Sequence, residues 1–202
     1  MKKIPFKHAA LRKLADLYAR MDEAYAASAA ALGLTCEGCR DNCCESLFRH
    51  HTYLEWLDLH AAFAALPEAR RKDILAAAEE WLRIHRGALP GARPRVPCPL
   101  VLREGDQLSC GLYAHRPMIC RLHGVPTLLV RPDGKQAAFP GCGRAQELGK
   151  AGGATLKALD RTPVLSELAL LEMELLGRER MARLPRVDLS IAEMLLMGAP
   201  KI

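Results

Sequence analysis

Four cysteines stand within nine residues, Cys36-Glu37-Gly38-Cys39-Arg40-Asp41-Asn42-Cys43-Cys44. Cysteine used merely as a small buried hydrophobe is not packed into a chain at C-x2-C-x3-C-C spacing. The two-residue gap lets both sulfurs of Cys36 and Cys39 reach one metal, and Gly38 permits the tight turn this needs. Were the segment helical, Cys36, Cys39 and Cys43 would share a face. Adjacent residues point apart, so Cys43 and Cys44 serve different metal atoms, or only one of them is a ligand. The other four cysteines, Cys98, Cys110, Cys120 and Cys142, are single, and the gaps from Cys44 onward are 53, 11, 9 and 21 residues. Each falls at a predicted strand end, loop or short turn. The fold must therefore gather distant segments, and the expectation is one metal-binding cysteine region over residues 36–142.

What a thiol is for depends on the compartment. The start, Met1-Lys2-Lys3-Ile4-Pro5-Phe6-Lys7-His8, is basic with no apolar run behind it. Ala24–Leu34 is apolar, but Arg20, Asp22 and Glu23 stand just before it, which is unlike a secretory signal. No apolar run reaches the ~18–20 residues that span a bilayer. A reducing cytoplasm is expected, and it opposes disulfides; a Cys43–Cys44 bridge would be strained as well. A thiol redox role for Cys36 and Cys39 lacks the βαβ context that such motifs occupy.

Metal remains. A zinc ribbon would offer a second C-x2-C knuckle, which this chain does not have, so ligands from scattered loops favour an iron–sulfur cluster, with zinc on four cysteines next. Covalent haem needs C-x2-C-H, and Arg40 occupies the histidine position. The ferredoxin run C-x2-C-x2-C-x3-C-P is not met, and the C-x3-C-x2-C order of radical enzymes using S-adenosylmethionine is reversed. No dinucleotide, P-loop, H-E-x-x-H or G-x-S-x-G motif occurs; Gly141-Cys142-Gly143 lacks the third glycine of a dinucleotide loop.

Around the cysteines the periodicity is mostly helical. With half of its 202 residues hydrophobic and 26% charged, the chain is globular, and residues 1–202 are expected to form a single domain. An N-terminal helix over 7–33 carries Leu11, Leu14, Tyr18, Met21 and Tyr25 at helical spacing and stops at Gly33. A second covers Tyr53–Ala65. A third opens at Pro67, turns Ile74, Ala78, Trp81 and Leu82 inward, and pairs Glu79 with Arg83 outside. Four prolines and two glycines make 87–99 a loop. Two hairpins follow, Leu100–Leu102 with Leu108–Cys110 about Glu104-Gly105-Asp106, and Thr127–Val130 with Gln136–Phe139 about Pro132-Asp133-Gly134. Between them, His115 to Arg121 forms one helical turn opened by Pro117.

C-terminal helices are expected over 155–198, where Thr162-Pro163 makes a cap and first position with Val164, Leu168, Leu171 and Leu175 behind it. They end in a short helix with the capping box Ser190–Glu193, whose Leu189, Ile191, Met194 and Leu195 dock on the chain's own core. The fold class expected is α+β, mainly helical, with two short β-hairpins and loops gathered around a cysteine-ligated metal site.

In order along the chain stand C-x2-C-x3-C-C, Cys98-Pro99-Leu100, Cys110-Gly111-Leu112-Tyr113, Arg116-Pro117-Met118-Ile119-Cys120-Arg121 and finally Cys142. This resembles the YkgJ-type cysteine-cluster proteins (CxxCxxCC), a family described as zinc- or iron-chelating. It is related to longer flagellin lysine N-methylases, for which an iron–sulfur cluster is indicated. Here three residues, not two, precede the double cysteine. The resemblance implies metal chelation and admits a methylase-like, protein-modifying activity.

Arg116 and Arg121 flank Cys120, where each can donate hydrogen bonds toward anionic sulfur or a carboxylate substrate, or else serve as ordinary surface charge. His50, His51 and His123 are expected to stay outside the ligand set. The net charge of +6 hints at nucleic acid. Eight thiolates holding metal of total charge +4 would bring that +6 down to +2, and the ten aromatics do not interleave with the arginines. Nucleic acid is therefore disfavoured, and a protein partner or substrate is preferred to it. Three readings stay open: a metal or cluster protein with a redox, sensing or metal-handling role; a cluster-dependent protein-modifying enzyme; and a structural zinc module that binds a partner or nucleic acid.

Overall fold

A computed structural model describes residues 4–36, 43–89, 92, 94–105, 107–152 and 157–202, with the backbone alone for 4–7, 43, 104, 107 and 152. In chain order the elements are α1 (Ile4–Leu32), α2 (Tyr53–Ala64), α3 (Glu68–Gly87), β1 (Val101–Glu104), β2 (Gln107–Cys110), α4 (Met118–Leu122), β3 (Thr127–Val130) and β4 (Gln136–Phe139). Then come α5 (Gly143–Gly152), β5 (Leu159–Asp160), α6 (Thr162–Leu176), α7 (Arg178–Arg183) and α8 (Ile191–Met197). Short 3-10 turns lie at Cys43–Glu45 and Tyr113–His115. The chain divides into two compact units interleaved in sequence, Met1–Asp41 with Arg121–Gly177, and Asn42–Cys120 with Arg178–Ile202.

In the first unit α1 is amphipathic as its spacing predicts. Leu14, Leu17, Tyr18 and Met21 are buried, and Leu168 and Leu171 are buried on α6, which packs against it. The helix stops where expected: Gly33 and Leu34 donate back to the carbonyls of Ala30 and Ala29, a Schellman closure. Lys13–Glu174 and Arg20–Glu167 link α1 to α6, but pairs this exposed are screened by solvent and add little to stability.

The β3–β4 hairpin has the expected strands, with Thr127 opposite Phe139. It is not a lone hairpin, because β5 pairs parallel to β3 and makes a three-stranded mixed sheet ordered β4-β3-β5. Two residues carry no readable alternation, so β5 could not be predicted. The Thr162-Pro163 start moves by one residue, and Arg161 takes the N-cap position. The reason is that the Thr162 hydroxyl accepts the Val130 N–H, and its own N–H donates to Asp160.

In the second unit α8 packs on α3, with Ala78, Trp81 and Ala192 buried together beside Leu82, Val96 and Leu196. The predicted capping box forms: Ser190 and Glu193 bond reciprocally at the start of α8. At its end, Trp56 Nε1 donates to the carbonyls of Met194 and Gly198. Arg83 pairs with Glu80, not with Glu79; spacings of three and four both bring helix side chains together, and the shorter one is used here. The β1–β2 hairpin holds Val101 opposite Cys110, and Asp106 of its predicted turn lies outside the described residues. Among the described residues no helix is long and apolar enough to cross a membrane.

Candidate metal centre

Backbone hydrogen bonds, more than any helix, place the cysteines of the second unit. Cys44 lies in the 3-10 turn Cys43–Glu45, and its carbonyl accepts the Cys98 N–H at 2.6 Å. The Cys98 carbonyl accepts from Val101 at 2.9 Å, and Val101 is the strand partner of Cys110. Two backbone hydrogen bonds and one strand pairing thus bring together three cysteines separated by 53 and 11 residues, all half-buried. Arg95 ties the same turn to the Pro-rich loop through Glu45 at 3.0 Å. This accounts for the non-helical course of residues 94–98: prolines supply no N–H to a helix, and the N–H of Cys98 goes to the cysteine turn instead.

Cys120 is half-buried on α4, and the residues leading to it are held by α2. Buried Glu55 accepts the Met118 N–H at 2.6 Å and the Thr52 hydroxyl at 2.9 Å. One turn further along α2, Asp58 lies 3.0 Å from Nδ1 of His115. The Arg116 guanidinium stacks on the Tyr113 ring at 3.6 Å and donates from Nε to the Tyr113 carbonyl.

Cys36 and Cys142 belong to the first unit. Cys36 is exposed, following α1, whereas Cys142 is half-buried and opens α5. The Cys142 N–H donates to the Gly124 carbonyl at 2.9 Å, and its own carbonyl accepts from Gln146 at 3.0 Å. Gly141 has φ of 88°, and a Cβ there would meet the Gly124 carbonyl oxygen at 2.8 Å and Ala145 Cβ at 2.9 Å. The glycine of the Gly-Cys-Gly run therefore serves a close backbone crossing. Arg121 is not an ordinary surface charge. It is 3% exposed, pairs with Asp22 on α1, and lies 3.9 Å over the Tyr18 ring.

Cys39 lies outside the described residues, and Cys43 is described in backbone only. Among the described residues no three His, Cys, Asp or Glu side chains form a group that could hold a metal ion. The histidines singled out in the sequence have other surroundings. His50 is 1% exposed, and its Nδ1 has no hydrogen-bond partner among the described residues. Burial above all, then neighbouring His51 and Arg49, lowers its pKa from 6.5 to about 4. His51 approaches Asp188 at 3.5 Å, and the ring of His123 lies 5.2 Å from that of Phe139. Glu55, Asp58 and His115 were missed by sequence reasoning. Partners 57 and 63 residues apart leave no local spacing signal.

Comparison with known protein families, curated proteins and solved structures finds no match to this chain.

Proposed function

We propose that this protein holds metal through cysteine thiolates, drawn from Cys36, Cys39, Cys43, Cys44, Cys98, Cys110, Cys120 and Cys142, as an iron–sulfur cluster in preference to zinc. The observation that carries the reading is that Cys44 is hydrogen-bonded to Cys98, Cys98 to Val101, and Val101 stands opposite Cys110 in the β1–β2 hairpin. Cysteines used only as small hydrophobes belong fully inside a core, whereas these three are gathered from distant segments and each is half-buried. The donor set fits soft or borderline metal, because thiolate selects zinc and iron–sulfur clusters over magnesium or calcium. One knuckle, a vicinal pair and four dispersed cysteines suit a polynuclear centre better than a zinc ribbon. The resemblance to YkgJ-type proteins points the same way, and a reducing compartment would keep the thiols available. Redox, metal-handling and protein-modifying roles are all compatible with such a centre.

The test is protein made without oxygen, with iron and sulfide supplied, then assayed for metal, labile sulfide and visible absorption. A brown protein that bleaches with dithionite supports the cluster. A colourless protein with one or two zinc ions overturns the choice of metal and retains the thiolate site. Protein that binds neither overturns the reading.

A further inference from the structure

The segment from Cys110 to Cys120 is short of regular structure, with a three-residue 3-10 turn at Tyr113–His115 and Pro117 ahead of α4. Left to itself such a segment would sample many conformations. What fixes it is one face of α2. Glu55 and Asp58 are three residues apart, hence neighbours on the helix surface, and both carboxylates reach into this segment.

Glu55 joins two helix starts. Its backbone N–H donates to the side chain of Thr52, the N-cap of α2, while its carboxylate accepts the Thr52 hydroxyl and the first N–H of α4. A carboxylate at a helix start satisfies an orphan donor and complements the helix dipole. Asp58, with its side chain 13% exposed, holds His115 by Nδ1; the His115 side chain is 42% exposed. His115 lies five residues after Cys110 and five before Cys120.

We infer that Glu55 and Asp58 form a two-point carboxylate clamp that positions Cys120 for metal, acting on the thiolate through Met118 and His115. The inference rests on the reading of Cys120 as a thiolate ligand. Neither carboxylate is itself assigned as a ligand; both are positioning residues. Groups that orient a metal ligand typically change affinity about 10–100-fold when altered. A loss of that size in cobalt(II) affinity is expected for Asp58→Asn, with the metal-free protein keeping its circular dichroism and melting temperature.

The decisive experiment is oxygen-free cobalt(II) titration, read by the thiolate-to-cobalt charge-transfer band, on wild type, Asp58→Asn, Cys120→Ser and the double variant. Glu55→Gln provides a second arm, because the amide oxygen still accepts the Met118 N–H while the charge is gone. If the clamp acts through Cys120, Asp58→Asn weakens binding in the wild type and adds nothing in the Cys120→Ser background. Equal losses in both backgrounds would reveal a general structural role and overturn the inference, as would unchanged affinity in folded Asp58→Asn. Absence of any cobalt–thiolate band in wild type would instead overturn the metal reading itself.

Discussion

Lowering the pH should destabilise this protein through one buried side chain, His50, by an amount the structure lets us calculate. Its folded-state pKa is about 4 against 6.5 for an ordinary histidine, so folding favours the neutral ring. The stability contribution is therefore complete above pH 6.5 and is lost as pH falls toward 4. A depression of that size amounts to about 3 kcal/mol at the acid end, with about 2 kcal/mol already lost at pH 5. No discount for solvent screening applies, because the residue is 1% exposed. The bond pattern makes the ring hard to rearrange, since His50 exchanges both backbone hydrogen bonds with Leu189 and so sits at the anchor of α8. Nearby Asp188 and Glu193 are carboxylates held below their usual values, Asp188 chiefly by its hydrogen bond with Arg49, and Glu193 because, against the upward push of burial, the bonds from Ser190 and the charge of Arg49 prevail. Their contributions are lost only at lower pH, outside the window that identifies His50.

The assay is urea unfolding of metal-free wild type and His50→Gln at pH 7.5, 6 and 5, comparing the two stability–pH curves. Glutamine cannot titrate, so its curve should be flatter by about 2 kcal/mol between pH 7.5 and 5. Parallel curves would refute the argument, whatever the absolute stability of the variant.

Removing bound metal by chelation should lower the melting temperature sharply, since a structural thiolate site contributes on the order of 10 kcal/mol; an unchanged melting curve after verified removal would sink this. Gly141→Ala should cost about 2–4 kcal/mol, from a left-handed backbone plus a clash with the Gly124 carbonyl. Gly134→Ala, also at positive φ but with nothing within 4 Å, should cost only about 1 kcal/mol, and equal urea midpoints for the two would disprove the steric account. Arg121→Ala should destabilise by about 2–3 kcal/mol, less than a fully buried pair because the Asp22 side chain is 42% exposed. Its metal content should match wild type, and a loss of metal from the folded variant would reassign Arg121 to the centre.

The sequence alone determined most of the helical skeleton. The apolar stripe of α1, its stop at Gly33, the capping box of α8 and the strands of both hairpins are each written within a few neighbouring residues, where local hydrogen bonding and side-chain periodicity decide the conformation. It also singled out the cysteines, because thiol spacing is legible without a fold. Tertiary structure alone decided the rest. The two-residue β5 exists because β3 offers an open edge, and α5, rich in glycine, begins where Gly141 and Cys142 cross Gly124. Arg121 looked like a partner for sulfur in the sequence, but Asp22 and Tyr18 claim it. Likewise Glu55 and Asp58 have partners about sixty residues away. Such pairings arise from packing across long chain separations, and no periodicity or local propensity encodes them.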